Sequence, residues 1–189
     1  ARSVGERVAY GDEHVIVADA EREDFKEIGA AILCADAETS RRLAPRAVAA
    51  GAVVVDNSSA FRMDLGVPLV VPEINGDLLD AHPAPRLIAN PNCSTAILLA
   101  AIEPIRRAFG IVAIDVATYQ AVSGAGAAAI DELLSQTREV LAGSQPVPRV
   151  FREPCAFNLF SHDSAVDLVD GLNGEERKMI DESRKILGM

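Results

Sequence analysis

The 189-residue sequence contains no tryptophan, and aromatic residues make up only 4% of it. Ala, Val, Leu and Ile must therefore supply most of the core, and 49% hydrophobic residues are enough to build one. Basic residues are also scarce, since 18 Lys and Arg stand against 28 Asp and Glu and give a net charge of −10. This balance argues against nucleic acid and anionic membranes as partners, although a local pair of basic residues can still bind a small anion.

Cysteine and histidine are sparse as well. Cys34, Cys93 and Cys155 lie far apart, and the three histidines show no ligand spacing near them, which argues against a zinc site and a disulfide framework. No apolar run reaches the roughly 18 residues of a membrane helix, and no signal peptide is visible. We therefore expect a cytoplasmic protein. The polar start without Met, and the end directly after a helix pattern, lead us to expect a piece of a longer protein.

The first half of the chain has the pattern of a βαβ unit. "HVIVADA" (14–20), "GAAILCA" (29–35) and "AVVVDNSS" (52–59) read as strands, and a helix pattern before Gly51 separates the last two. We expect Pro45 to break that helix and Cys34 to lie in the core. Ligands gather at the carboxyl ends of parallel strands, which is where Asn57 and Ser58 fall.

The second half alternates predicted helices and strands. We predict an extended segment at 67–75 and a short strand at 85–92, followed by a helix at 92–109. A long strand is predicted at 111–126 and a second helix at 127–143. The last predicted strand spans 155–163, and the final helix spans 173–187. Near the final helix, Asn173 and Glu176 have the spacing of a capping box. We place a domain boundary near residue 91.

The stretch "LIANPNCSTAILLAAIEP" (87–104) puts Cys93 in the first turn of a predicted helix. Unpaired N–H groups at a helix start favour a thiolate and can hold an oxyanion, and Asn92 or Ser94 can cap that start. Cysteine is also a common buried residue, so the pattern alone fits either a nucleophile or a core side chain. The apolar side of this helix is predicted to carry Ile97, Leu98, Ala101, Ile102, Ile105 and Ala108.

Four blocks in order resemble the aspartate-semialdehyde dehydrogenase family: "VVVDNSSAFRM" with "VPLVVPEIN", then "ANPNCSTA", "TYQAVSGAG" and "EERKMIDESRKIL". The resemblance covers nearly the whole chain and is weaker before residue 28. It implies an α/β fold, in which a partial Rossmann-type parallel sheet (1–91) precedes part of an α+β catalytic and dimerisation domain (92–189). It also implies a homodimer that serves the biosynthesis of diaminopimelate, lysine, threonine, methionine and isoleucine.

The resemblance further implies a reaction, the NADPH-dependent reduction of aspartyl 4-phosphate to aspartate semialdehyde with release of phosphate. Cys93 would attack the acyl phosphate and carry the acyl group as a thioester. Asn92 would help to hold the oxyanion, and Gln120 would orient the substrate. Taken by itself, Gln120 fits a solvent-facing strand residue better than a catalytic one.

Substrate and cofactor contacts come from the same resemblance. Arg62 and Lys178 would bind the phosphate, and Glu175 would meet the substrate amino group, although Glu175 and Lys178 alone fit an ordinary ion pair. NADP would contact Ser123, Gly124, Asn57 and Ser58; the segment around Gly124 also fits a plain turn. No metal is implied.

The sequence departs from the family in two ways. No glycine-rich "GxxGxVG" segment is present, and neither His82 nor His162 occupies the motif of the family's general base. We therefore expect these 189 residues alone to lack turnover. Two other functions stay open, a cysteine-dependent acyl transferase or hydrolase and a non-catalytic dimerisation module.

Overall fold

The computed structural model describes residues 3–80, 84–162 and 164–189. The chain forms two compact units, Ala1–Phe109 with Met179–Met189 and Gly110–Lys178. The break between the units follows Phe109 rather than residue 91, and the domain boundary near residue 91 stays a prediction.

The first unit opens with a hairpin. Strand β1 (Arg7–Tyr10) pairs antiparallel with β2 (Glu13–Ile16), and Tyr10 faces Glu13 across a two-residue turn that begins with Gly11 at φ +58°. A glycine suits that turn because positive φ strains other residues. The strand predicted over 14–20 is therefore shorter and begins one residue earlier.

The predicted βαβ unit is confirmed. Strands β3 (Ala30–Leu33), β4 (Val53–Asp56) and β5 (Leu87–Ala89) form a parallel sheet in that order, and helix α1 (Ala37–Ala49) links the first two. The core of the unit lies between this sheet and its helices, where the fully buried side chains include Ala44, Ala47, Val54, Leu69, Ala89 and Leu99.

Helix α1 runs unbroken through Pro45, so the predicted break is wrong. Proline inside a helix costs about 3 kcal/mol, and burial of the adjacent Leu43, Ala44 and Ala47 offsets that cost. The helix ends as predicted, because Gly51 adopts φ +107° and donates its N–H to the carbonyl oxygen of Val48 (3.0 Å).

The segment at 67–75 is only partly extended. Leu69 pairs with Ala89 through one parallel bridge, and the chain then turns into a short helix, α2 (Pro72–Asn75), followed by a 3₁₀ helix (Gly76–Asp80). The Asn75 carboxamide favours this turn because its oxygen accepts from Val71 N–H and its nitrogen donates to Leu69 O, both at 2.9 Å.

Helix α3 (Cys93–Phe109) has the predicted length and ends at Gly110, which adopts φ +75°. Its predicted apolar side is only partly confirmed: Ile102 packs against the core, but Ile97 and Ile105 are 71% and 53% exposed. The buried face instead contains Thr95, Leu99 and Glu103, one helical turn apart. The helix carries apolar residues on several of its own sides, so the hydrophobic pattern alone does not determine which side faces the core.

The second unit contains less regular structure. The long strand predicted over 111–126 is wrong, because residues 110–121 are irregular and a 3₁₀ helix (Val122–Ala125) follows. β-Branched residues favour a strand only where a neighbouring strand pairs with them, and none pairs with this segment in the described part of the chain. The strand predicted over 155–163 is likewise not present in residues 155–162.

Two helices of the second half are confirmed, α4 (Ala127–Leu141) and α5 (Gly174–Leu187). The capping box before α5 is also confirmed: Asn173 Oδ1 accepts from Glu176 N–H at 2.9 Å, and a Glu176 carboxylate oxygen accepts from Asn173 N–H at 2.7 Å. Among the described residues, no helix combines the length and apolarity that a membrane crossing requires.

Candidate functional site

Cys93 lies at the first position of α3, directly beyond the carboxyl end of β5. Its side chain is exposed rather than sealed in the core. The location in the first helical turn is the predicted one, and exposure leaves the thiol accessible to a substrate. The catalytic role of Cys93 stays a prediction.

Asn92 caps this helix. Its carboxamide oxygen accepts from Ser94 N–H at 2.8 Å, and its carbonyl oxygen accepts from Ala96 N–H at 2.9 Å in the first turn. The residue is only 8% exposed, and its own N–H donates to Glu182 Oε2 at 2.7 Å. Asn92 therefore fixes where α3 begins, which places Cys93.

Two asparagines meet at the carboxyl ends of the parallel strands. Asn57 follows β4 and Asn90 follows β5, and Asn90 Nδ2 donates to Asn57 Oδ1 at 2.7 Å. Both residues are exposed at the sheet edge where ligands of such folds bind. Asn57 is thus exposed at the carboxyl end of β4, and its contact with a cofactor stays a prediction.

Ser58 is placed differently from Asn57. It is 8% exposed, its hydroxyl donates to Asp56 Oδ2 at 2.8 Å, and the same oxygen accepts from Ala60 N–H at 3.0 Å. The single hydroxyl proton is therefore committed to Asp56, and the side chain shapes the turn after β4.

Arg62 is almost wholly enclosed, with 10% of its side chain exposed. The guanidinium donates to three acceptors: Asn90 O at 2.9 Å, Asn57 O at 3.0 Å and Glu182 Oε1 at 3.1 Å. An arginine side chain carries five N–H donors, so further donors remain for an anion. The structure thus fixes Arg62 beside the loop that follows β5.

Sequence reasoning missed two residues of α5, Glu182 and Lys185. The ammonium group of Lys185 donates to the carbonyl oxygens of Arg62 (2.7 Å), Asp64 (2.8 Å) and Val67 (2.9 Å), and burial lowers its pKa. Glu182 is 2% exposed and bonds both Arg62 and Asn92. The available signal for Glu182 was its position one helical turn from both Met179 and Ile186, the buried apolar residues of this helix.

The second unit brings three predicted site residues together. Glu175 is 7% exposed; its Oε1 accepts from Gln120 Nε2 at 3.5 Å and its Oε2 from Lys178 Nζ at 3.1 Å. The ring nitrogen Nε2 of His162 lies 4.0 Å from Glu175 Oε2, and its Nδ1 lies 2.8 Å from Ser164 Oγ. A carboxylate, an amide and an ammonium group therefore form one cluster that can meet a charged substrate.

Ser123 and Gly124 lie in the exposed 3₁₀ helix before α4. A Cβ built on Gly124 would meet no atom within 4 Å, so packing within the described structure does not require glycine there. The exposed backbone is open to a ligand, which is the property that the predicted cofactor contact needs.

The other cysteines differ from each other in exposure. Cys34 is exposed after β3, so its predicted place in the core is wrong; β3 is an edge strand of the described sheet, and its Ile32 is 74% exposed. Cys155 is buried beneath Gln136, whose Oε1 accepts from Cys155 N–H at 2.8 Å, and burial raises the pKa of this thiol.

His82 lies outside the described residues, and the described His, Cys, Asp and Glu side chains form no group suited to a metal ion.

Comparison with known proteins identifies the family. Residues 1–82 match the semialdehyde dehydrogenase NAD binding domain, and residues 102–189 match the semialdehyde dehydrogenase dimerisation domain. The chain is 43% identical over 196 residues to aspartate-semialdehyde dehydrogenase of Bacillus subtilis and 43% identical over 188 residues to that of Legionella pneumophila. These alignments cover 100% and 99% of this chain but 56% and 54% of the relatives, so the chain spans little more than half of their length.

Solved structures agree with this assignment. Aspartate semialdehyde dehydrogenase II from Vibrio cholerae superposes with a TM-score of 0.93 at 41% identity, over 99% of this chain and 56% of that one. A second crystal structure of that enzyme is described as complexed with ASA and has the same TM-score. The predicted α/β fold, with a Rossmann-type part before a dimerisation domain, is confirmed. The chain therefore belongs to the semialdehyde dehydrogenase family, and the relatives that match it from end to end carry the name aspartate-semialdehyde dehydrogenase.

Proposed function

We propose that this chain is the part of an aspartate-semialdehyde dehydrogenase in which Cys93 carries the acyl group, during the NADPH-dependent reduction of L-aspartyl 4-phosphate to L-aspartate 4-semialdehyde. The observation that supports it best is an exposed thiol at the first position of α3, beside the Asn92 cap. Membership of the semialdehyde dehydrogenase family supports the same reaction. The proposal includes a homodimer and a cytoplasmic place in the biosynthesis of the aspartate-derived amino acids.

The proposed chemistry begins with the Cys93 thiolate. Its sulfur attacks the acyl carbon, a C–S bond forms, the carbon–oxygen bond to phosphate breaks, and phosphate leaves with the bonding electrons. N–H groups of the first turn of α3 would stabilise the oxyanion that develops, and Asn92 keeps that turn formed by accepting from Ser94 N–H. NADPH, when bound, supplies the hydride that reduces the thioester.

Phosphate recognition is proposed for Arg62 and Lys178. A planar guanidinium and a compact ammonium suit the several oxygens of a dianion. The fixed orientation of Arg62 supports its role, since its three bonds within the fold leave other N–H donors in place before substrate arrives.

Recognition of the rest of the substrate is proposed for Glu175 and Gln120. The Glu175 carboxylate, 7% exposed, already bonds an ammonium group on Lys178 at 3.1 Å, which supports a second contact with the substrate amino group. Gln120 lies against Glu175 and can donate and accept hydrogen bonds without titrating.

The residues available for the cofactor fit it in part. Asn57 at the carboxyl edge of the sheet and the exposed backbone of Ser123 and Gly124 would hold its polar groups, while Ser58 would act by shaping the turn beside Asn57. The family description names an NAD binding domain, and the choice of NADP over NAD belongs to the proposal.

Thiol labelling tests this function on the 189-residue chain. Near neutral pH we expect iodoacetamide to alkylate Cys93 faster than Cys34, which is also exposed, because Cys93 lies in the first turn of a helix and Cys34 does not. Inorganic phosphate should slow the reaction of Cys93 and leave Cys34 unchanged. Equal rates at the two thiols, with no effect of phosphate, would contradict the proposal.

A further inference from the structure

One buried carboxylate links two parts of the proposed site in the first unit. Glu182 Oε2 accepts the backbone N–H of Asn92 at 2.7 Å, and its Oε1 accepts from the Arg62 guanidinium at 3.1 Å. The side chain is 3% exposed. Each carboxylate oxygen therefore accepts from a different residue. Asn92 precedes Glu182 by 90 positions in the sequence, and Arg62 precedes it by 120.

Stability alone gives little reason for such a pair. Desolvation of two charges often cancels their attraction, so a buried ion pair contributes little compared with apolar residues of the same size. Geometry gives a better reason, since a rigid carboxylate sets the distance between its two donors. The same helix also holds the Arg62 backbone, through the bond from Lys185 Nζ to Arg62 O.

We propose that Glu182 is a positioning residue, which fixes the Arg62 guanidinium relative to the start of α3 and hence to Cys93. The inference rests on the proposed function, in which Arg62 binds the phosphate that Cys93 displaces. Glu182 itself touches neither substrate nor thiol. It acts by keeping the anion-binding group and the first helical turn in register before an acyl phosphate arrives.

Substitution with glutamine breaks this arrangement with little change in shape. Glu182→Gln keeps one acceptor oxygen but turns the other into an NH₂ group, which must then face a second donor, from either Arg62 or Asn92. The variant also leaves the guanidinium without its counter-charge. Glu182→Asp keeps the charge, but it is one methylene shorter and cannot hold both donors at their present distances.

The test measures alkylation of Cys93 by iodoacetamide, with the exposed Cys34 as an internal reference and inorganic phosphate as the protecting anion. For Glu182→Gln we expect the phosphate concentration that gives half-protection to rise about tenfold, and the Cys93-to-Cys34 rate ratio to fall several-fold. Glu182→Asp should lie between this variant and the unmodified chain. The control Asp181→Asn removes the same charge one residue away and should stay within about twofold of the unmodified chain.

A double variant separates positioning from general loosening of the fold. In an Arg62→Lys background, Glu182→Gln should weaken phosphate protection no further, because the oriented fork is already lost. An unchanged half-protecting concentration in folded Glu182→Gln would overturn the inference. Should that variant fail to fold, judged by its thermal melting, full protection in folded Glu182→Asp would overturn it equally. If the unmodified chain lacks both fast Cys93 labelling and phosphate protection, the proposed function itself fails.

Discussion

Removal of the Asn92 cap should lower both the stability of the fold and the reactivity of the Cys93 thiol. Asn92→Ala deletes the oxygen that accepts Ser94 N–H at 2.8 Å, in a residue that is 8% exposed. Loss of an N-cap costs about 1–2 kcal/mol. For a chain of this length that corresponds to a melting temperature about 2–8 °C lower.

The same substitution should slow the reaction of Cys93. A frayed first turn no longer aims its N–H groups at the thiolate, and the helix-start effect is worth about 0.3–1 kcal/mol, or about a two- to fivefold change in rate. Iodoacetamide labelling followed by peptide mass mapping measures the rate at Cys93 directly. Asn92→Ser is the matched variant, since a serine hydroxyl caps as well as asparagine does and should preserve both properties.

A second control separates the cap of α3 from caps in general. Asp36→Ala removes the side chain that accepts Thr39 N–H at the start of α1, and it should lower the melting temperature without slowing Cys93. If Asn92→Ala melted and reacted like Asn92→Ser, the reasoning about the start of α3 would be refuted.

Three further predictions concern buried polar groups. Hydrogen bonds from the neighbouring arginines, Arg106 foremost, hold the pKa of Glu103 at about 2. The ionised Glu103 therefore stabilises the fold above about pH 4.5, and this effect is lost as the pH falls towards 2. The urea midpoint of Glu103→Gln should vary less with pH over that range than the midpoint of the unmodified chain. Gln136→Leu leaves the buried N–H groups of Cys155 and Ala156 without an acceptor. It should lower the free energy of unfolding in urea by about 3 kcal/mol and expose Cys155 to alkylation. Lys185→Met removes the ammonium donor from three loop carbonyls, of which Asp64 O keeps its bond from Val67 N–H, and should lower the free energy of unfolding by about 1–3 kcal/mol in the same assay.

Each of these variants has a control substitution elsewhere in the chain or at an adjacent position. Asp181→Asn should keep the pH dependence of the unmodified chain, Ser135→Ala should leave Cys155 unlabelled, and Arg184→Met should unfold at the normal urea concentration. A pH profile in Glu103→Gln that matches the unmodified chain would contradict the ion-pair argument. Likewise, an unlabelled Cys155 in Gln136→Leu, or an unshifted urea midpoint in Lys185→Met, would contradict the corresponding hydrogen-bond argument.

Local sequence patterns predicted the elements whose cause is local. The apolar runs around Leu33 and Val54 predicted parallel strands, of which β4 alternates partly and fully buried residues, and Gly51 and Gly110 marked helix ends because both adopt positive φ. The cap at Asn173 followed from its spacing to Glu176. For the helix ends and the cap, the residues that form the interaction lie within a few positions of each other. The strands were identified from their apolar composition, although β3 and β4 pair with all of α1 between them in the sequence.

Other features depend on partners that sequence spacing does not reveal. The segment 111–126 is rich in β-branched residues, but a strand needs a neighbouring ladder, and local propensity cannot supply one. The buried face of α3 was predicted incorrectly because the helix carries apolar residues on several sides. Contacts with the rest of the core, such as those of Leu99, decide which of these sides is buried. Cys34 was misplaced because a buried strand pattern does not reveal whether a second strand covers that edge.

The candidate site divides in the same way. Cys93 was predicted from a helix start, and the family resemblance supplied Arg62, Gln120, Glu175 and Lys178. Glu182 was missed because its two bonds join residues far apart in the sequence. A charged residue on the buried side of an amphipathic helix is the signal that sequence reading can use for such positions.

Transfer of an acyl group to Cys93 tests the central claim most directly. The 189-residue chain is incubated with acetyl phosphate, a simple acyl phosphate, and its peptides are mapped by mass spectrometry before and after treatment with hydroxylamine. We expect a hydroxylamine-sensitive acetyl group on Cys93, absent from Cys34 and from the Cys93→Ser variant, together with release of phosphate. Acetylation of Cys34 to the same extent, or no thioester at Cys93, would contradict the proposal that this thiol is the acyl carrier.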